Sequence, residues 1–310
     1  MGMGNVCSHS FYIYLNISTY LIMGSVNDNF YKDFSLLYHF SFLFFASFSF
    51  FLLLKSKKSP GFIEKNSNGN LPIDKSIINN DENKNISMSG SPLMIPKSEL
   101  FYKETCDICK ISDLPMRSRH CKKCGRCVLK YDHHCSFTGT CIGENNHLNF
   151  IIFLFFQCIT LILALFGLFK TVSIFLKNNQ NKYRDIPAPI FIYIFFLLVI
   201  LIYCAFLFFF HNYLICTNQT SYEIYHKEKC PYLETFRKER TKILELRDIE
   251  IKPTYVFHPF DSGVVKNVKL CVNKFRNDNY KINWEEIYFE NLKTNNIYSN
   301  FCDNEYWSCC

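Results

Sequence analysis

No internal repeat runs through this sequence, and its start has neither the basic region nor the small-residue cleavage site of a secretory leader. Charge of one sign is scarce too: 34 Lys and Arg stand against 27 Asp and Glu, a net +7 over 310 residues. That balance suits contact with anionic lipid or a phosphate-bearing ligand, but is too diffuse to argue for nucleic acid. The final Cys309-Cys310 forms no CaaX box. Charge is nearly missing from several long runs, where most of the 33 Phe collect between Lys- and Asn-rich stretches. A soluble domain mixes apolar and charged residues at the period of its helices and strands, so this segregation argues against a purely soluble fold.

Four apolar runs are candidate membrane spans: Phe11–Val26, Phe34–Leu54, Phe150–Leu176 and Ile190–Ile215. About 20 helical residues cross a bilayer; the last two runs reach that length, and the first is short and holds Asn16. Lys and Arg number 15 over Lys55–Leu148 and 14 from Cys216 onward, but three in the loop Lys177–Pro189 and one over Asp28–Asp33. Positive charge stays on the cytosolic side, which puts both termini, the middle and the tail there. The chain thus divides into an N-terminal segment (1–10), two spans (11–54), a cytosolic linker (55–99), a Cys-rich domain (100–149), two further spans (150–215) and a cytosolic C-terminal region (216–310). Glu64–Ile95, polar and Asn-rich, reads as disordered. Ser221–Asp248 reads as one charged helix and the remaining tail as short irregular elements. Lys170 and His211, in or near spans, read as snorkelling toward an interface. The spans lack paired charges or matching Gly/Pro breaks, which argues against a transporter.

Sixteen cysteines are present, and seven fall between Cys106 and Cys141. A secreted disulfide scaffold would not interleave them with histidines at metal-site spacing, so a reducing compartment follows. Cys-x-x-Cys pairs at Cys106/Cys109, Cys121/Cys124 and Cys124/Cys127 each let two sulfurs reach one ion from a tight turn. Ten soft donors lie within 36 residues: Cys106, Cys109, His120, Cys121, Cys124, Cys127, His133, His134, Cys135 and Cys141. Little apolar sequence is available there for a core, so metal would supply the folding energy. Two zinc ions take eight donors and leave two over. Asp132-His133-His134-Cys135 contains the parts of an activated thiolate: a thiol, an imidazole to take its proton and a carboxylate to orient the imidazole. Spacing does not say which histidine is base and which is ligand. A thiolate at the membrane boundary, just before the span at Phe150, suggests thioester chemistry on lipid.

These residues resemble the Cys-rich domain of the Asp-His-His-Cys (DHHC) protein S-acyltransferases, the palmitoyltransferases. The likeness rests on Cys106 and Cys109, on Pro115, Arg117, Ser118, His120 and Cys121, and on Cys124, Cys127 and Val128. It continues through Asp132–Cys135, Cys141-Ile142-Gly143 and Asn146. Pro60-Gly61 resembles the family's Asp-Pro-Gly motif, with Ser59 for Asp. Thr220-Ser221-Tyr222-Glu223 resembles Thr-Thr-x-Glu, and Pro259-Phe260-Asp261 with Gly263 and Asn267 resembles the C-terminal Asn-Pro-aromatic motif, with His258 for Asn.

The resemblance implies one zinc on Cys106, Cys109, His120 and Cys127 and a second on Cys121, Cys124, His134 and Cys141. It makes Cys135 the nucleophile, His133 the base and Asp132 its orienting carboxylate, with Ser221, Glu223 and Asn267 in support. Fatty acyl-CoA would acylate Cys135, and a cysteine thiol of a membrane-associated protein would then attack the thioester. Arg117, Arg119, Lys122 and Lys123 are candidate contacts to the CoA phosphates; a basic cytosolic flank explains them equally. Ser136-Phe137 replaces the family's Pro-Trp, Thr140 replaces a common Asn, and the spacer from Cys109 to His120 is one residue longer than usual. None removes a ligand or catalytic group.

The expectation is therefore an all-α integral membrane protein: a four-helix transmembrane bundle carrying a cytosolic, loop-rich, two-zinc Cys-rich domain. It would act as a palmitoyltransferase on endomembranes, Golgi or ER, alone or with an accessory subunit. A non-catalytic zinc-stapled adaptor is the alternative, although an adaptor needs only the eight ligands. Initiation at Met3 would expose Gly4 and Ser8 as a myristoylation pattern, with Cys7 as an acylation site.

Overall fold

The computed structural model describes residues 4–26, 30–58, 60–63, 104–178, 188–246, 258–277 and 279–293. The expected disordered stretch Glu64–Ile95, the Met3 start and Cys309-Cys310 lie outside the described residues. Helices α1 (Gly4–Val26), α2 (Phe30–Asp33) and α3 (Leu36–Lys58) come first, followed by six short strands, β1 (Glu104–Cys106), β2 (Ile111–Leu114), β3 (Arg119–Cys121), β4 (Arg126–Val128), β5 (His133–Cys135) and β6 (Thr140–Ile142). Then come α4 (His147–Asn178), α5 (Ala188–Cys216), α6 (Ser221–Tyr225), a single 3-10 turn, α7 (Pro231–Glu245), α8 (Val264–Arg276) and α9 (Trp284–Lys293).

Among the described residues, three helices are long and apolar enough to cross a membrane: Leu36–Lys57, His147–Lys177 and Ala188–Cys216. They mark the chain as a membrane protein. Their outward faces carry exposed Phe40, Phe44, Phe166, Phe195, Phe206 and Phe209, a surface that water would not tolerate and lipid would. The first candidate span is a helix of 23 residues but is not among these three. Its Asn16, Ser18 and Thr19 lower its apolarity, and they turn back on the helix, bonding Tyr12 O and Leu15 O.

The chain forms two compact units. The first draws on Met1–Pro60, His134–Ile142 and Asn146–Leu214. One of its clusters packs Leu15 and Met23 of α1 with Phe42 of α3, Leu165 of α4 and Leu197 of α5. Gly167 leaves room there for Met23 and for Tyr38, whose hydroxyl donates to Leu163 O at 3.0 Å. With no water in the hydrocarbon layer, such groups must be satisfied internally. Ser49 accordingly bonds Gln157 at 3.1 Å. His211, expected to snorkel, is instead buried and shares a 3.0 Å N···N contact with buried His147. Lys170 is exposed at its tip and donates to Asp33 O.

The second unit draws on Gly61–His133, Gly143–Asn145 and Ile215–Cys310. The single charged helix expected over Ser221–Asp248 is broken. α6 stops at Tyr225, and Pro231 opens α7, where its missing N–H costs nothing and its fixed φ suits the first turn. The tail expected to be irregular instead holds α8 and α9. Trp284, Tyr288 and Leu292 recur at four-residue spacing on α9 and bury with Phe236 and Phe260 in one core.

Candidate active site and metal clusters

The Cys-rich segment folds as three two-stranded ribbons, β1-β2, β3-β4 and β5-β6, the first two antiparallel. Short turns set the spacing of the sulfurs. In the first, Lys110 takes φ 52° and the Cys109 N–H donates to Cys106 Sγ at 3.3 Å. In the second, Gly125 takes φ 64° and the Cys124 N–H donates to Cys121 Sγ at 3.4 Å. Two chain-adjacent cysteines are thereby pointed at one place.

Two Cys/His clusters could hold metal ions. Cys106, Cys109, His120 and Cys127 bring their donor atoms within 4.8 Å of one another, as do Cys121, Cys124, His134 and Cys141. His120 Nδ1 lies 3.6, 3.2 and 3.8 Å from the sulfurs of Cys106, Cys109 and Cys127, and His134 Nδ1 lies 3.7 Å from Cys141 Sγ. A tetrahedron built on Zn–S bonds of about 2.3 Å has edges of roughly 3.8 Å, so both donor sets fit zinc in kind and in spacing.

The two histidines that sequence could not tell apart have different partners: His134 lies in the second Cys/His group and His133 lies against Asp132. His133 Nδ1 meets Asp132 Oδ2 at 2.7 Å, and the His133 side chain is 32% exposed. Asp132 itself is buried. Its Oδ1 accepts the Ser221 backbone N–H at 2.6 Å and its Oδ2 the Ser221 hydroxyl at 2.9 Å. A carboxylate held from behind by a helix start, with an imidazole in front, keeps that imidazole in one tautomer and stabilises its cation. Cys135 is buried with Tyr12, Leu52, Leu53, Ile142, Phe150 and Phe153, and Phe137 stacks on Phe153 at 5.8 Å. The thiol thus meets apolar residues drawn from three helices.

Ser221 is placed by a capping box. Thr220 Oγ1 accepts the Glu223 N–H at 3.1 Å, and Glu223 Oε2 accepts the Thr220 N–H at 2.8 Å. The Glu223 carboxylate also receives two bonds from Arg117, at 2.8 and 2.7 Å, and one from the Tyr232 hydroxyl at 2.9 Å. Burial alone would raise the Glu223 carboxyl, but Arg117 and then His258 hold it well below the usual carboxylate range. The Lys130 ammonium, which donates to Asn218 Oδ1 at 2.9 Å, is pushed down to about 8 by burial and then by Arg117.

Arg117 therefore does not sit as expected for a phosphate contact: it is buried, and its donors are taken by Glu223 and Asn218. Arg119 donates to Lys229 O and lies over the Tyr222 ring, while Lys122 and Lys123 are exposed. Asn267 is brought to Cys216 O and to Asp261 Oδ1, each at 2.7 Å, where it fastens α8 to the end of α5. Sequence reasoning missed Asn218, Tyr232 and Trp284. Asn218 takes φ 47° and donates to Phe260 O at 2.8 Å; nothing in a lone Asn announces that. Trp284 could have been found from the apolar stripe of α9.

Residues 99–228 match the family model for the DHHC palmitoyltransferase domain. The chain is 33% identical over 213 residues to "Putative ZDHHC-type palmitoyltransferase 7" of Dictyostelium discoideum, covering 66% of this chain and 43% of that protein. It is 32% identical over 175 residues to "Protein S-acyltransferase 10" of Arabidopsis thaliana, covering 56% and 45%. With "Palmitoyltransferase ZDHHC23-A" of Danio rerio it shares 32% over 133 residues, covering 42% and 30%. The chain thus spans less than half the length of these relatives.

Proposed function

We propose that this chain, a member of the DHHC palmitoyltransferase family by its domain at residues 99–228, is a protein S-acyltransferase. The observation that carries the reading is the buried Asp132 carboxylate, fixed by Ser221 on one side and bonded to His133 Nδ1 on the other. His133 takes the Cys135 thiol proton. The thiolate attacks the acyl carbonyl of a fatty acyl-CoA; the Cys135–acyl thioester forms as the CoA thioester breaks, and His133 returns its proton to the CoA thiolate. In the second half the cysteine thiol of a membrane-associated protein yields its proton to His133 and takes the acyl group, and Cys135 recovers its proton. Palmitoyl-CoA is the proposed donor, and the apolar surroundings of Cys135 suit an acyl chain.

Cys106, Cys109, His120 and Cys127 would hold one zinc ion and Cys121, Cys124, His134 and Cys141 the other. Bound there, zinc would supply folding energy to a segment with little apolar core. Lys122 and Lys123 remain as contacts for the CoA phosphates, with Arg119 at their edge. α1 completes a four-helix transmembrane bundle in this reading, and the positive-inside balance keeps both termini and the site cytosolic on Golgi or ER membranes.

Labelling purified protein with a clickable palmitoyl-CoA tests the reading. Wild type is expected to carry a hydroxylamine-sensitive label, and Cys135→Ser none, with zinc content unchanged. A zinc-loaded, folded wild type that takes no label, even with membrane extract added, would leave the adaptor function instead. Loss of zinc in Cys135→Ser would make Cys135 a ligand.

A further inference from the structure

We infer that Trp284, in the C-terminal helix α9 beyond the matched domain, is a positioning residue for the acyl transfer, acting through Arg117 and Glu223 on Asp132. The inference rests on the S-acyltransferase reading and extends it to a part of the chain outside the motifs.

The contacts form a continuous series. Trp284 is buried, and its indole N–H donates to Glu144 Oε2 at 2.7 Å, which fixes the ring plane. Glu144 is anchored in turn by its backbone N–H on Leu129 O at 3.0 Å and by Lys274 Nζ at 3.5 Å. The Arg117 guanidinium lies 4.6 Å from the centre of the Trp284 ring and 4.1 Å from that of Phe260. Phe260 meets Trp284 edge to face at 5.8 Å. The Lys130 ammonium is 4.9 Å from the same indole. Two cations of like charge thus share one aromatic ring and one amide, Asn218 Oδ1. A cation over a desolvated indole is attracted by the ring quadrupole, so the ring offsets the repulsion that would otherwise drive Arg117 away.

Arg117 held in this way presents Nε and Nη2 side by side to Glu223, a fork that only one orientation of the guanidinium gives. Glu223 closes the capping box, the box fixes the start of α6, and that start delivers the Ser221 N–H and hydroxyl to Asp132. Neither Trp284 nor Arg117 touches the reacting atoms. Their effect is on how firmly Asp132 is held against His133, a matter of the chemical step and not of acyl-CoA binding.

The experiment is a double-mutant cycle on acyl-enzyme formation by the full-length protein in detergent. It uses clickable palmitoyl-CoA, with zinc content and thermal melting as controls on folding. Trp284→Leu keeps apolar bulk and removes the ring face; it is expected to slow thioester formation about tenfold at saturating palmitoyl-CoA and to leave the half-saturating concentration unchanged. Trp284→Phe keeps a face and loses the N–H, and is expected to fall between, at roughly a threefold loss. Ser221→Ala removes the hydroxyl bond to Asp132. Because both changes act on one series of contacts, the double variant Trp284→Leu/Ser221→Ala should be no more than about twofold slower than the slower single. Multiplied losses, a wild-type rate in Trp284→Leu, or a loss seen only below saturation would overturn the inference. Should Trp284→Leu lose its zinc, the cycle run with Trp284→Phe decides on the same criterion. A wild type that forms no thioester would instead remove the S-acyltransferase reading itself.

Discussion

In the membrane unit the buried hydroxyls of Tyr12, Tyr38 and Ser56 each donate to a main-chain carbonyl, of Ala46, Leu163 and Leu52. In the other unit the buried polar side chains include ions: Arg117 with Glu223, Lys274 with Glu144, and Asp132 under Ser221. The contrast follows from what each has to bury. Long Phe- and Leu-rich helices supply apolar area without limit, so their polar groups need only be neutral and satisfied. Among the described residues the Cys-rich segment and the tail have only small cores, which buried charge pairs supplement. Buried ion pairs are poor sources of stability but strict about geometry, and geometry is what a carboxylate proposed to orient His133 requires.

Stripping metal should break the comparison most. Structural zinc contributes on the order of 10 kcal/mol in small domains, so a strong chelator is expected to open the ribbons β1-β2 and β3-β4 of the second unit to protease while the helices of the membrane unit persist. Helical circular dichroism with limited proteolysis between residues 104 and 133 reads both. Simultaneous loss of the helices would show that the two units do not differ in this way.

Glu223→Gln should come next. It leaves Arg117 buried without its counter-ion, a change that costs about 3–5 kcal/mol. The sign with pH follows from the direction of the shift. Glu223 titrates lower in the folded chain than in the unfolded one, so its stabilisation is fully present above the ordinary carboxylate range and fades as pH falls through and below it. Melting temperatures of wild type and variant should therefore differ by a constant amount from pH 8 to about 5 and converge below that. A gap that grows on acidification would mean the shift has the opposite sign.

Gly167→Ala sharpens the comparison from the membrane side and has the smallest effect. The added methyl collides with the Tyr38 hydroxyl and the Met23 sulfur; overpacking of this kind costs about 1–3 kcal/mol, against roughly 1 kcal/mol of helix propensity regained. A modest fall in melting temperature is expected with zinc content unchanged. A large fall accompanied by zinc loss would contradict a defect confined to packing.

How far the sequence could be read follows the same division. Apolar run length located the three helices that are long and apolar enough to cross a membrane, because hydrocarbon thickness is a fixed ruler. The soft donors at Cys106–Cys141 were legible because metal geometry dictates their type and spacing. The motif led to an approach of Ser221 to Asp132, and two bonds join them. Arg117 was misread because a basic residue in a basic stretch looks solvated; its burial depends on Phe260 and Trp284, more than 140 residues away in sequence. His211 was misread because its partner, His147, belongs to another helix. Asn218 carries no sequence signal, since its left-handed backbone and three side-chain bonds are set by what surrounds it.

The pleat of β5 makes the Asp-His-His-Cys segment intolerant of slippage. A helix can absorb a one-residue insertion by rotating 100°, and a loop by bulging. A three-residue strand has no such freedom: one inserted or deleted residue between Asp132 and Cys135 would take one imidazole from Asp132 and the other from the group of Cys121, Cys124 and Cys141. The two histidines are chemically identical and can never be exchanged.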